Sequence, residues 1–256
     1  MKKRRIKNLC HVLVLLTALF SCSKKEMSTP DKPGTNPPKE DVFDPQTEGM
    51  TAKKVVNGGG NITDYLLYIP DGYNTRKDYR WPLVIFLHGI GEIGTNVDVL
   101  RNVALPRVVK GQPFVMIAPQ CTRNWWNGES LQALYKEVLA KYHVDSNRVI
   151  LTGLSMGGMA TWDWICANPN NFAAAVPISG KGDPNQVSKI KKMPIWAFHC
   201  ADDPTVSVEG SRAPVKALQA IGGNIKYTEY PTGGHDAWTR AYATPELYTW
   251  ILSQHK

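Results

Sequence analysis

The sequence lacks the patterns that would tie it to a metal, a nucleotide or a nucleic acid. No run of Cys, His, Asp or Glu has the spacing of a zinc site, so neither a metal nor another cofactor is expected. The one glycine run, Gly58-Gly59-Gly60, is followed by neither the lysine nor the helix that a phosphate-cradling loop requires. No internal repeat is visible. Positive charge is also scarcer than it first looks. The formal charge is +8, but Lys2, Lys3, Arg4, Arg5 and Lys7 crowd the first seven positions, and removing those five leaves +3. That field is too weak to argue for nucleic acid or an acidic membrane surface. The run Leu9 to Phe20 is apolar but too short to span a bilayer as a mature helix.

What is there begins with an address. A basic head followed by a short apolar run reads as a secretory signal. It closes on Leu19-Phe20-Ser21-Cys22, which resembles the lipobox of bacterial lipoproteins. That resemblance implies a signal peptide over residues 1–21 and lipidation of the Cys22 thiol. The protein would then be anchored in the bacterial cell envelope, periplasmic or outer-membrane associated. The alternative is a soluble secreted protein cut nearby. Residues 22–50 carry Pro30, Pro33, Pro37, Pro38 and Pro45 among Lys, Asp and Glu, and are expected to form a disordered tether. Of five cysteines, Cys121, Cys166 and Cys200 remain for the folded part, and three cannot all pair with one another. Cys166 belongs on a helix. Cys121 and Cys200 both follow expected strands at one end of a sheet, which leaves a bridge between them open.

Residues 51–256 have the length of one α/β domain, and a hydrophobic content of 43% suits a globular core. Strands are expected at 61–69, 82–88, 114–118, 149–151, 172–178, 194–199 and 225–230. Helices are expected at 131–142, from Met159 onward, around 211–221 and at 245–253. Alternation of this kind builds a mostly parallel sheet covered by helices on both faces. Function then collects in the loops beyond the carboxyl ends of the strands.

The strongest local pattern is Arg148-Val149-Ile150-Leu151-Thr152-Gly153-Leu154-Ser155-Met156-Gly157-Gly158. A short apolar strand runs into Gly-x-Ser-x-Gly and then into helical spacing, the strand–turn–helix context in which that motif presents a nucleophile. A serine hydroxyl needs a base, and the base needs a carboxylate. Asp203 is the favoured carboxylate, because Asp-x-x-Val returns Val206 to the core, with Asp202 as competitor. His235, in Thr232-Gly233-Gly234-His235, is the candidate base, on a glycine loop where an imidazole can swing over the serine. Two N–H donors are needed for a developing oxyanion. Met156 supplies one, and Ile90, with Gly89 as second choice, the other. His88 reads as a structural hydrogen-bonding residue.

His88-Gly89, Gly153-Leu154-Ser155-Met156-Gly157-Gly158, Asp203-Pro204-x-Val206 and Gly234-His235-Asp236-Ala237-Trp238 together resemble the α/β-hydrolase superfamily. They look most like its small bacterial esterases of the phospholipase/carboxylesterase, dienelactone-hydrolase-like and feruloyl-esterase-like kinds. Two departures stand out: serine rather than cysteine as nucleophile, unlike dienelactone hydrolases proper, and His199-Cys200 where His-Gly is usual. The resemblance implies an α/β-hydrolase fold without a large lid domain and a serine esterase acting through an acyl-enzyme. The polar connection from Gly180 to Lys192 offers no apolar lid, so the site should be open. Trp125, Trp126 and Glu92 are candidate substrate-binding residues for a short acyl or aromatic (acetyl or feruloyl) ester on a carbohydrate. The alternatives are a serine peptidase of the same fold, a phospholipase or lysophospholipase, and a catalytically dead carbohydrate-binding module. No nucleic-acid partner is expected, and nothing in the sequence fixes the oligomeric state.

Overall fold

The structure, a computed structural model, describes residues 43–56 and 60–256. The expected signal peptide, Cys22, most of the tether and the Gly58-Gly59 pair lie outside them. The elements run in the order β1 (Gly49–Lys54), β2 (Ile62–Ile69), β3 (Trp81–Leu87), α1 (Ala104–Val108), β4 (Val115–Cys121), α2 (Gly128–Lys141) and β5 (Val144–Leu154). They continue with α3 (Met156–Ala167), β6 (Ala174–Ile178), β7 (Ile195–Cys200), α4 (Glu209–Ala220), β8 (Ile225–Tyr230), α5 (Trp238–Tyr242) and α6 (Pro245–Leu252). Short 3-10 turns at Ile90–Glu92, Val97–Asn102, Pro169–Asn171 and Val187–Ile190 fill the connections.

The eight strands of the described residues form one sheet in the order β1-β2-β4-β3-β5-β6-β7-β8. β1 and β2 pair antiparallel, as do β2 and β4, and every later pairing is parallel. β3, β4, β6 and β7 are buried at every position, as continuous apolar runs covered on both faces must be. Because side chains alternate across a strand, each strand feeds two cores. Leu83, Ile85, Val149, Leu151 and Ala175 pack with Leu134, Ile165 and Leu218 of α2, α3 and α4. Val84, Phe86, Ile150, Val176 and Phe198 pack with Leu105, Tyr242 and Ile251 of α1, α5 and α6.

Three sequence expectations change. The folded part begins before residue 51: the Phe43 ring lies 5.5 Å from Tyr73 and 5.6 Å from His143, and β1 starts at Gly49. The strand expected to end at 118 runs on to Cys121. Cys121 and Cys200 are not bridged, and both are free, like Cys166. β3, β5 and β6 stand between their strands, so four inter-strand spacings, about 19 Å, separate them, far beyond disulfide reach.

Candidate active site

The carboxyl ends of β3, β5, β6, β7 and β8 converge on Ser155. The serine joins β5 to α3 at φ +52°, ψ −118°, a conformation that costs a non-glycine residue energy and persists only where its surroundings enforce it. They do so by close approach. A Cβ on Gly153 would stand 2.4 Å from the Gly157 carbonyl oxygen, and one on Gly157 would stand 2.0 Å from that of Leu87. The Ser155 N–H donates to Ile178 at 2.9 Å, tying the turn to β6. Ser155 is only 8% exposed.

From this serine a line of hydrogen bonds runs outward. Ser155 Oγ donates to His235 Nε2 at 2.8 Å, and His235 Nδ1 donates to Asp203 Oδ2 at 2.7 Å. The Asp203 carboxylate is fully shielded, while the His235 side chain is 21% exposed. Asp203 Oδ1 accepts from the Thr205 and Val206 N–H groups at 2.8 and 2.9 Å. Burial pushes the Asp203 carboxyl up, but the bonds from His235, Val206 and Thr205 outweigh it and hold the group below its ordinary range. It therefore stays ionised at neutral pH, able to fix the imidazole tautomer and balance an imidazolium.

Sequence reading missed His199, the last residue but one of β7. It is fully buried, and its Nε2 lies 3.0 Å from the Val206 carbonyl oxygen and 3.2 Å from Asp203 Oδ2. Both are acceptors, so Nε2 carries the proton, and Nδ1 accepts from Ser211 Oγ at 2.7 Å. Burial, partly offset by Val206 and Asp203, pushes this histidine down, so it serves as a neutral donor on the same carboxylate oxygen that holds His235. The signal was a histidine closing a buried strand four residues before an aspartate.

Asp202 has a different place. It is exposed, and its two oxygens accept from the N–H groups of Gly233 and Gly234 at 3.2 and 2.8 Å. The loop carrying His235, whose glycines had suggested freedom to swing, is thus hydrogen-bonded to this carboxylate. Arg240 donates to the Thr232 carbonyl, and Ser179 Oγ donates to that of His235 at 3.0 Å. Trp238 sets its ring edge-on to the imidazole at 5.2 Å.

Both expected oxyanion donors open a helical turn, where backbone N–H groups have no intrahelical acceptor. Met156 opens α3, and Ile90 opens the 3-10 turn after β3. Gly89 packs against the serine: a Cβ there would stand 3.5 Å from Ser155 Cβ and 3.4 Å from Glu92 Oε2. Glu92 is thus near the site but half-buried. Burial raises its carboxyl, and the N–H groups of Gly89 and of Glu92 itself pull the other way. His88 is a structural residue: Nδ1 donates to Gly89 at 2.6 Å, and Nε2 accepts from the Cys121 N–H at 2.9 Å.

The two tryptophans divide. Trp126 is buried, packs on His88 at 4.7 Å and donates its ring N–H to the His88 carbonyl at 3.3 Å. It offers no face to a ligand, which corrects its assignment as a substrate-binding residue. Trp125 is 45% exposed. It lines a groove of about 300 Å³ with Met159, Asp163, Lys181, Asp183 and Pro184.

Comparison with known proteins supports the fold. The Phospholipase/Carboxylesterase family model matches residues 127–246, which takes in the serine, the aspartate and the histidine. The crystal structure of a thermostable esterase superposes with a TM-score of 0.68 at 37% identity, covering 81% of this chain and 63% of that one. The chain has the α/β-hydrolase fold. Feruloyl esterase B of Neurospora crassa is 30% identical over 146 residues, covering 50% of this chain and 48% of that protein. Dipeptidyl-peptidase 5 of Arthroderma otae is 27% identical over 175 residues, covering 59% of this chain and 23% of that protein. The chain thus spans about half the length, or less, of these curated relatives.

Proposed function

We propose that the protein is a serine carboxylesterase that cleaves short acyl or aromatic esters, acetyl or feruloyl, of carbohydrates. The observation that carries the reading is the line Ser155–His235–Asp203, with both bonds under 3 Å, ending on a strained serine. In this mechanism Ser155 Oγ attacks the ester carbonyl while His235 Nε2 takes its proton. Asp203 stabilises the imidazolium, and the Met156 and Ile90 N–H groups hold the oxyanion. His235 then gives the proton to the leaving alcohol. Water, deprotonated by the same imidazole, hydrolyses the acyl-enzyme and restores the serine.

The substrate class is supported by what surrounds the triad. The connection between β6 and β7 folds down, burying Val187 and Ile190 in the core, so it forms no apolar cover for a long acyl chain. The exposed Trp125 face, beside two carboxylates and a lysine, suits a ring bearing hydroxyl groups. The esterases among the relatives point the same way. Anchoring through a lipid on Cys22 would bring the enzyme to polymers outside the cell membrane.

The test is a substrate panel of p-nitrophenyl acetate, methyl ferulate, acetylated xylan, a long-chain p-nitrophenyl ester and a peptide amide, with fluorophosphonate labelling alongside. Wild-type protein should label and should prefer the short and aromatic esters. Ser155→Ala should neither label nor turn over, a loss on the order of 10⁴–10⁶ in rate. Preference for the long-chain ester would overturn the substrate class, and preference for the amide would make the protein a peptidase. An unlabelled wild type would make it a binding module.

A further inference from the structure

Two adjacent aspartates face the histidine loop, and only one touches the imidazole. We propose that Asp202 is a positioning residue that sets His235 through the backbone of its loop. The inference rests on the esterase reading for its rate effect but not for its geometry.

The histidine follows Gly233 and Gly234, which sit at φ +144° and +60°. Two consecutive glycines in these conformations give the base the loosest possible attachment, since nothing in their own side chains selects one backbone state. Selection has to come from outside the loop, and Asp202 supplies it. One carboxylate oxygen takes the Gly234 N–H at 2.8 Å and the other takes the Gly233 N–H at 3.2 Å. These bonds to a carboxylate fix the Thr232–Gly233 and Gly233–Gly234 peptide planes, one peptide short of the base. Gly233 is also close-packed: a Cβ there would stand 2.8 Å from Cys200 Sγ. Ser179 Oγ holds the far side of the histidine by donating to its carbonyl at 3.0 Å.

Adjacency of the aspartates gives this clamp its use. Asp202 and Asp203 share one tight turn after β7, closed by the Asp203 N–H donating to Cys200 at 3.3 Å. One carboxylate fixes the imidazole and its neighbour fixes the loop backbone that leads to the residue carrying it. A shift of the turn carries both, so the Nδ1 to Oδ2 bond keeps its length.

The experiment uses Asp202→Ala and Asp202→Asn, with Asp203→Asn for comparison, in otherwise intact protein. Asp202 is exposed, so its replacement leaves the core untouched, and unchanged thermal midpoints check this. Turnover of p-nitrophenyl acetate is measured per active site, counted by fluorophosphonate titration. Asp202→Ala should lower kcat on the order of 10²-fold, the scale of a misplaced catalytic group, with KM moving far less. Asp202→Asn keeps one acceptor and should fall between Ala and wild type. The low-field proton NMR signal of His235 Nδ1–H should be sharp in wild type and broadened or shifted upfield in Asp202→Ala. Wild-type kcat together with an unchanged low-field signal in Asp202→Ala would overturn the inference. If wild-type protein hydrolyses no ester, the esterase reading fails, while the NMR comparison still decides whether Asp202 positions His235.

Discussion

Replacing His88 by Gln should flatten the acid limb of the stability curve, and the size of the effect follows from the burial of one ring. His88 has no exposed surface. Its Nε2 must stay an acceptor, because the Cys121 N–H points at it from 2.9 Å. Burial, partly offset by the bond to Gly89, pushes the imidazole down from 6.5 to about 4. In the unfolded chain the same group titrates at its ordinary value. Between those two pH values the unfolded state holds more protons than the native one, so stability rises with pH there and is lost on acidification. At about 1.4 kcal/mol per pH unit, acidifying from pH 7 to pH 4 should cost about 3 kcal/mol through this residue alone. In a folded unit of this size that is a drop of about 6–12 °C in Tm. Glutamine keeps one donor and one acceptor but cannot titrate. Urea or thermal unfolding of wild type and His88→Gln at pH 7, 5.5 and 4 isolates the term, since the remaining groups, the depressed His199 included, are common to both. Parallel curves would show that the buried ring carries no such linkage.

Other expectations follow from packing. Gly157→Ala should cost about 3 kcal/mol or more, because its Cβ would meet the Leu87 carbonyl oxygen at 2.0 Å. Gly111→Ala, with open space but φ +84°, should cost only about 1–2 kcal/mol; thermal denaturation compares them. Trp126→Ala should destabilise by about 3–5 kcal/mol, whereas Trp125→Ala should leave Tm nearly unchanged and act on polymeric substrate alone. Cys22→Ser should move the protein from the membrane fraction to the soluble one, and unchanged fractionation would remove the anchor.

The elements that sequence makes legible are those whose signals are local. Val149 to Gly158 contains its own strand, turn and helix start, and β8 at Ile225–Tyr230 shows the bounds expected of it. β1 escaped notice because it is a half-exposed edge strand carrying Thr51, Lys53 and Lys54, with no apolar run to announce it. The 3-10 turn at Val97–Asn102 and helix α1 are too short for periodicity to register. The Cys121–Cys200 bridge could not be excluded beforehand, because strand order depends on crossovers rather than on sequence distance. Trp125 and Trp126 show the same limit at single-residue scale. In a loop there is no period to say which ring turns inward, and here the second finds the His88 carbonyl.

Ser155 and its two partners hang from parts of the sheet with different anchorage. β5 is paired on both sides, with β3 and β6, whereas β8 is the half-exposed outer strand. Opening events that stop short of complete unfolding start where pairing and burial are thinnest. Heat should therefore detach the base before it disturbs the nucleophile, leaving a native centre with an unassisted serine. Amide exchange should be fastest along β8 and in the 231–236 loop and slowest through Ile150–Leu154. Inactivation of this kind reverses on cooling, because the strand that must re-form does so against a sheet that never came apart.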